Sequence, residues 1–436
     1  MNVGIIGTGY VGLPTGIGFA ELGHNVICAD TDINKIELLN NGKITLYEKD
    51  SEKLLLENIK SKRILFTSSI KECVVKSDVV IIAVGTPIVD ININMSDMNG
   101  VFDVIKSIVP YLNKYKLIAV KSTVAVGTCD YLETLIKKIS PKAKFDIVSL
   151  PEFLREGFAL YDFFNPDRII AGVENSKVKT MINKLYAPLL KKTKMLFVNR
   201  QSSELIKYAS NSFLAVKISF ANEMANFCEK TKADINEVTE GIGLDKRIGN
   251  KFLRPGPGYG GSCFPKDTKS LVAMANKYNI DMPLVKTVIK ENDNRKKQIS
   301  NRILDLVKKI NNPKIAVLGL AFKAGTDDCR ESPAIDVISE LLKHNVCINA
   351  YDPQAMKTCC KILGNKIQYS KTIYDAVKDA DILVVLTEWE QFKKMDFKKV
   401  SSLMKHKNIL DCRNILDYKK ILKYKFNYEY IGGRKC

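Results

Sequence analysis

The segment Gly7-Thr-Gly9-Tyr10-Val11-Gly12 sits between a short apolar run, Val3-Gly-Ile-Ile6, and a small-residue stretch, Leu13 to Leu22, which Gly23-His24-Asn25 ends. A glycine-spaced turn from strand to helix lets the backbone approach a pyrophosphate at the helix N-terminus. Val26 to Ala29 is the next strand, and Asp30 closes it 18 residues after Gly12. A carboxylate there accepts the adenosine ribose hydroxyls, which favours NAD over NADP. Lys35 pulls the other way, because its ammonium suits a 2′-phosphate. The apolar runs Val79–Val84, Leu117–Val120, Phe145–Val148 and Arg168–Ala171 alternate with helical stretches, which predicts a parallel sheet. Thr86, in Val84-Gly-Thr-Pro87, and Thr123, in Lys121-Ser-Thr123, fall at carboxyl ends of strands, where ligands bind in open α/β sheets. Glu152 and Glu156, in Pro151-Glu-Phe153-Leu154-Arg-Glu-Gly157, are four apart, so a helical turn would put both on one face.

The second constraint is Arg254-Pro-Gly256-Pro-Gly258-Tyr259-Gly260-Gly-Ser-Cys263-Phe-Pro-Lys-Asp267. Its glycines and prolines exclude a regular helix or strand. Such a loop holds its backbone close to a partner, and the cysteine beside Lys266 and Asp267 reads as a reactive thiol. Upstream, about Ser202 to Lys230 contains no proline or glycine and predicts one helix of about 43 Å, enough to bridge two domains. Lys207 and Asn211 share a face of it. An ammonium and a carboxamide beside a reactive thiol suit an oxyanion on an acyl carbon. Residues 268 to about 310 read as further helix.

After that, Lys314–Leu318 runs into Gly319, repeating the opening theme with one glycine where three are needed, so a second NAD site is not expected. Val346–Ala350, Ile382–Leu386, Asn408–Asp411 and Tyr428–Ile431 extend a second sheet, with Lys323, Arg330 and Arg413 at or just past strand ends, as diphosphate recognition requires.

Composition narrows the class. No apolar run approaches the ~20 residues that span a bilayer, and the N-terminus enters a strand without a basic leader, so no signal peptide or membrane partner is expected. The formal charge of +19 is spread along the chain, which reads as solvated helix faces and not as a nucleic-acid interface. Three histidines, His24, His344 and His406, stand beside turn signals or lysines, so no metal site is expected. Eleven irregularly spaced cysteines read as reduced thiols in a cytoplasmic protein.

In order along essentially the whole chain, Gly7–Gly12, Lys121–Thr123, Pro151–Gly157, Glu204-Leu-Ile-Lys207 with Asn211, Arg247-Ile-Gly-Asn-Lys, Gly258–Asp267, Phe322-Lys323 and Thr326-Asp with Arg330 resemble the UDP-glucose/GDP-mannose dehydrogenase family. The resemblance implies two Rossmann-like, doubly wound α/β domains with parallel sheets, joined by a long central helix and a helical middle domain. It divides the chain into an NAD-binding domain (1–198), a helical dimerisation domain carrying the cysteine loop (199–298) and a UDP-sugar-binding domain (299–436). It further implies a homodimer and a primary alcohol carried to a carboxylate by two successive oxidations, with UDP-glucose as substrate. GDP-mannose or a UDP-N-acetylhexosamine are the alternatives, and a two-electron β-hydroxyacid-type dehydrogenase is the other reading.

By resemblance, Cys263 holds the intermediate, Lys207 and Asn211 stabilise oxyanions, and Thr123, Glu152 and Asp267 position the water. Gly7, Gly9, Tyr10, Val11, Gly12, Asp30, Lys35, Thr86, Thr123, Glu156 and Arg330 fall to NAD. Phe153 and Leu154, beside Glu152, join the substrate residues, as do Arg254, Gly256, Gly258, Tyr259 and Gly260 with Phe322, Lys323 and Arg413. Arg247 would reach the ligand of a neighbouring subunit. Ala125 stands where the family usually has proline, and Thr45 replaces another frequent proline.

Overall fold

The computed structural model describes residues 1–48, 50–88 and 94–433; the last three residues of the expected C-terminal domain lie outside these. Two compact units divide the chain, Met1–Ser210 with Ala273–Asn279, and Asn211–Val272 with Ile280–Cys436. The chain passes from one to the other inside two helices, Arg200–Thr231 and Phe264–Lys277, and again after Asn279.

The first unit is built on an eight-stranded sheet: β1 (Asn2–Ile6), β2 (Asn25–Ala29), β3 (Ile64–Thr67), β4 (Val79–Ile82), β5 (Lys116–Val120), β6 (Phe145–Ser149), β7 (Ile169–Gly172) and β8 (Met195–Val198), in the order β3-β2-β1-β4-β5-β6-β7-β8. The order reverses direction between β1 and β4, so a crevice opens there at the carboxyl ends of the strands. Alternate residues of one strand enter different cores. Val79 and Ile81 pack in one cluster with Leu13 and Ile17, while Val80 and Ile82 pack in another with Val101 and Ile105. Burial on both faces explains why these strands read as continuous apolar runs. The sheet is not parallel throughout, since β6 meets β7 antiparallel through Ser149 and Gly172, and β8 then runs parallel to β7.

The second unit carries a parallel six-stranded sheet: β9 (Lys314–Leu318), β10 (Cys347–Tyr351), β11 (Gln368–Tyr369), β12 (Ile382–Val385), β13 (Asn408–Asp411) and β14 (Asn427–Tyr430), in the order β11-β10-β9-β12-β13-β14. Its core takes Ala225 and Cys228 from the long helix and Ile299, Ile303 and Val307 from the helix Pro283–Val307. The helical stretch expected from 268 onward is two helices, Phe264–Lys277 and Pro283–Val307, parted where Asn279 takes a positive φ and proline opens the second.

One expectation about thiols is corrected. Cys329 and Cys359, both buried and with Cα atoms 5.8 Å apart, form a disulfide, so the described cysteines are not all reduced. Cys263 takes no part in that disulfide. Among the described residues no helix is long and apolar enough to cross a membrane.

Candidate active site

In the first unit the glycine turn is shaped by close approach. A Cβ on Gly12 would lie 1.8 Å from the Gly7 carbonyl oxygen, so no other residue fits there. A Cβ on Gly9 would meet nothing within 4 Å, which leaves open space at the start of the helix Gly12–Glu21. That cradle fits a pyrophosphate. Tyr10 and Val11 complete the turn, half-buried, with Val11 packed on the core.

Asp30 follows β2 and accepts from the Thr8 amide (2.9 Å) and hydroxyl (2.6 Å), the Asp32 amide (3.1 Å) and Lys35 Nζ (2.9 Å). Burial pushes this carboxyl up, but the Thr8 and Lys35 donors outweigh it and hold it at about 2. Asp30 is therefore a fixed anion, and Lys35 is committed to it. Asp30→Ala is expected to raise the KM for NAD about tenfold or more, the loss of one or two charge-assisted hydrogen bonds, and to leave the KM for the other substrate within about twofold. Initial rates with each substrate varied in turn check this, and equal losses contradict it.

At the ends of β4 and β5, buried Thr86 donates to the Thr123 carbonyl (2.9 Å). The turn past Thr123 is closed without proline. The Ala125 carbonyl accepts the Thr128 amide and hydroxyl, and Glu204 takes the Gly127 and Cys129 amides on its two oxygens at 2.6 and 2.8 Å. Glu204, named in the sequence only as a motif residue, thus caps the helix Thr128–Ile139 from the long helix.

Glu152 and Glu156 do not share a helix face. Residues 151–155 are irregular, because the Leu154 amide is bonded to the Glu152 side chain (2.5 Å), and Glu156 lies in the following turn with Gly157 at positive φ. Glu152, 5% exposed, accepts Lys207 Nζ (2.8 Å), itself 4% exposed. Burial pushes Glu152 up, yet Lys207 and the Leu154 amide hold it below the usual carboxylate range. Phe153 lies under the Arg168 guanidinium (3.9 Å) and faces Lys207 Nζ (5.5 Å), and Leu154 packs on the core. A third charge was missed. Lys121 is 4% exposed, and burial brings it down to about 8 although Glu152 pulls it up. A lysine after a strand carries no sequence signal for burial.

The second unit holds the thiol. Cys263 stands half-buried directly before the helix Phe264–Lys277, where the helix dipole favours a thiolate, with Ser262 Oγ 3.6 Å from Sγ. One turn on, Asp267, 1% exposed, receives Asn211 Nδ2 (2.6 Å) and Lys266 Nζ (2.5 Å). This use leaves Asn211 a second N–H and its carbonyl oxygen.

The preceding loop is buried from Pro255 to Gly260, while Arg254 is exposed. Gly260 and Gly261 lie against the Glu331 carbonyl and the Phe322 ring, where a Cβ would approach to 2.2 and 2.7 Å. Arg413 donates to the Leu386 carbonyl (2.8 Å) and the Phe322 carbonyl (3.0 Å) and pairs with Glu388. Lys323 is half-buried, its Nζ 5.7 Å from the Phe322 ring centre. Arg330 binds Asp328 through Nε and Nη2, and its carbonyl accepts the Gly261 amide (3.1 Å). Arg247 stands apart, 89% exposed and paired only with Asp245 among its described contacts. Asp352, past β10 where Asp30 stands past β2, spends its carboxylate on the Leu320, Ala321, Gln354 and Ala355 amides and the Trp389 indole. It has no acceptor capacity left for a ribose.

Family models named for the NAD binding domain, the central domain and the UDP binding domain of the UDP-glucose/GDP-mannose dehydrogenase family match residues 1–190, 201–294 and 316–418. A UDP-glucose 6-dehydrogenase of Rhizobium meliloti is 43% identical, with 99% of each chain covered. The solved UDP-glucose dehydrogenase of Pyrobaculum islandicum superposes with a TM-score of 0.92 at 32% identity, covering 99% of this chain and 98% of that one. The UDP-D-ManNAc dehydrogenase of Pyrococcus horikoshii gives 0.86 at 25% identity, covering 99% of each.

Proposed function

Because the chain belongs to the UDP-glucose/GDP-mannose dehydrogenase family, we propose that it oxidises the C6 alcohol of UDP-glucose to the carboxylate of UDP-glucuronate through covalent attachment at Cys263. The observation that carries this reading is the Cys263 thiol, outside any disulfide, at a helix start and one turn from a buried carboxylate bonded to Asn211. Among solved structures, the 32% identity to a UDP-glucose dehydrogenase, against 25% to a UDP-D-ManNAc dehydrogenase, supports the choice of sugar.

The balance is simple. One alcohol and one water become one carboxylate, with four electrons lost as two hydrides and three protons released. NAD, when bound, supplies the acceptor for each hydride. After the first oxidation the Cys263 thiolate adds to the C6 aldehyde and gives a thiohemiacetal. Loss of the second hydride gives a thioester, and water displaces the thiol. Each addition puts negative charge on the C6 oxygen, where Lys207 and Asn211 donate. Thr123, Glu152 and Asp267 hold the water and take its proton. Phe153, Leu154, residues 254–260, Phe322, Lys323 and Arg413 hold the UDP-sugar, while Glu156 and Arg330 serve the NAD side.

The test is NADH formed per sugar consumed, across UDP-glucose, UDP-N-acetylhexosamines and GDP-mannose. Two per UDP-glucose, with the highest kcat/KM for that sugar, is the expected result. One per sugar would move the chain to the two-electron class, and a higher kcat/KM elsewhere would reassign the substrate.

The protein acts as a homodimer in this reading. Phe213, Phe220 and Phe227, 64%, 45% and 64% exposed, recur every seven residues on the long helix, an apolar stripe suited to a second copy. Arg247 then has a partner's ligand to meet. Phe220→Glu is expected to shift the light-scattering mass from two chains to one with unchanged circular dichroism. A dimer of wild-type strength would contradict the stripe as the interface. A cytoplasmic location suits an enzyme fed by NAD and a nucleotide sugar.

A further inference from the structure

The loop from Pro255 to Gly260 is buried without being helix or strand, so each of its main-chain polar groups needs a partner from elsewhere. Two helices supply them. From the long helix, Asn222 Oδ1 accepts the Gly256 amide (2.7 Å). From Pro283–Val307, Arg295 Nε donates to the Gly256 carbonyl (2.9 Å). Asn292 takes both sides of Tyr259, accepting its amide (2.8 Å) and donating to its carbonyl (3.0 Å). The three side chains are 6%, 5% and 4% exposed. Arg295 is itself held by Asn226 (2.6 Å), four residues from Asn222 on the same helix face. Between the two anchored residues, Gly258 has φ +121°, and a Cβ on it would lie 2.9 Å from Asn292 Oδ1. The lattice and the glycine therefore require one another.

We propose that Asn292, Arg295 and Asn222 are positioning residues that set the shape of the 255–260 backbone and through it the affinity for the nucleotide sugar. The proposal rests on the reading that this loop meets the UDP-sugar. The anchors touch no ligand. They act by fixing which way the Gly256 and Tyr259 peptide planes face, which would otherwise be free in a glycine- and proline-rich segment. Asn292→Ala removes both restraints on Tyr259, whereas Asn292→Asp keeps the acceptor for its amide and loses the donor.

Steady-state kinetics with UDP-glucose and NAD varied separately, together with inhibition by UDP, test this on the full chain. Asn292→Ala is expected to raise the UDP-glucose KM and the UDP inhibition constant about tenfold, leaving the NAD KM within about twofold. Asn292→Asp and the single-contact variant Asn222→Ala should shift the same two constants less and in the same direction. Loss of folded protein alone lowers the apparent kcat and moves neither KM. A fall in kcat with the UDP-glucose KM unchanged in all three variants, or equal rises in both KM values, overturns the proposal. Lys323→Ala separates the levels. If it raises the UDP-glucose KM and the three anchor variants do not, the positioning role fails alone. If it too leaves that KM unmoved, the assignment of the loop to the UDP-sugar fails with it.

Discussion

Cys263→Ala is expected to lower the rate of acid formation by more than about a thousandfold while UDP and NAD still bind, because in the proposed mechanism the nucleophile has no substitute. The side chain is half-buried at a helix start and carries none of the core, so its removal leaves the fold intact. The Asn211–Asp267 bond does not involve the sulfur and persists. Serine is the informative companion. It restores a nucleophile of similar size, but a weaker one and a poorer leaving group. Cys263→Ser is therefore expected to stall as a slowly hydrolysed ester, visible as added mass on the protein. Equilibrium binding of UDP and NAD, product analysis and intact mass check both variants, and wild-type-like acid formation by Cys263→Ala would contradict the assignment.

Lys207→Ala carries the second large effect, on stability and rate together. It strips the partner from a carboxylate that is 5% exposed. Leaving a buried charge unpaired costs about 3–5 kcal/mol, enough to lower Tm by several degrees. In the proposed mechanism Lys207 is also an oxyanion donor, and its loss is expected to add a kcat decrease of about a hundredfold or more. The pH dependence follows from sign. In the native protein Glu152 is held below its ordinary value of 4.5, so the pair contributes stability above that pH and loses it on acidification through the folded value. Without Lys207, burial is the dominant influence and raises the carboxyl, so the folded variant binds the extra proton. Its stability deficit is then largest near neutrality and shrinks as the pH falls toward 4.5. Lys121, the other buried ammonium near Glu152, limits the rise but leaves its direction unchanged. Thermal melts from pH 4 to 8 check this, and a deficit that grows on acidification would contradict it.

Much of this was legible in the chain. The fingerprint from Gly7 to Asp30, the central helix and nearly every buried strand announce themselves, because burial on two faces forces continuous apolar runs. The strands β3, β8 and β11 did not, for they are edge strands of four, four and two residues with exposed or partly exposed positions. The antiparallel turn into β7 was hidden too, since one pairing, Ser149 with Gly172, decides it and nothing local encodes it. Glu152 and Glu156 misled because spacing presupposes a helix, and a side chain bonded to its own Leu154 amide prevented one. The Cys329–Cys359 pair lies 30 residues apart in the chain, with no motif to join it. Asn222, Asn292 and Arg295 were illegible for a further reason. Polar residues on helices normally face water, and only the folded loop supplies the buried peptide groups they bind.

The central claim is that one sulfur keeps the sugar attached through both oxidations. Acid-quenching the enzyme during turnover with UDP-glucose and NAD, followed by mass spectrometry of the Cys263 peptide, tests it most directly. The account predicts an adduct on that peptide in the wild type, accumulating in Cys263→Ser and absent from Cys263→Ala. An unmodified Cys263 peptide throughout turnover, with free aldehyde accumulating in solution, would contradict it.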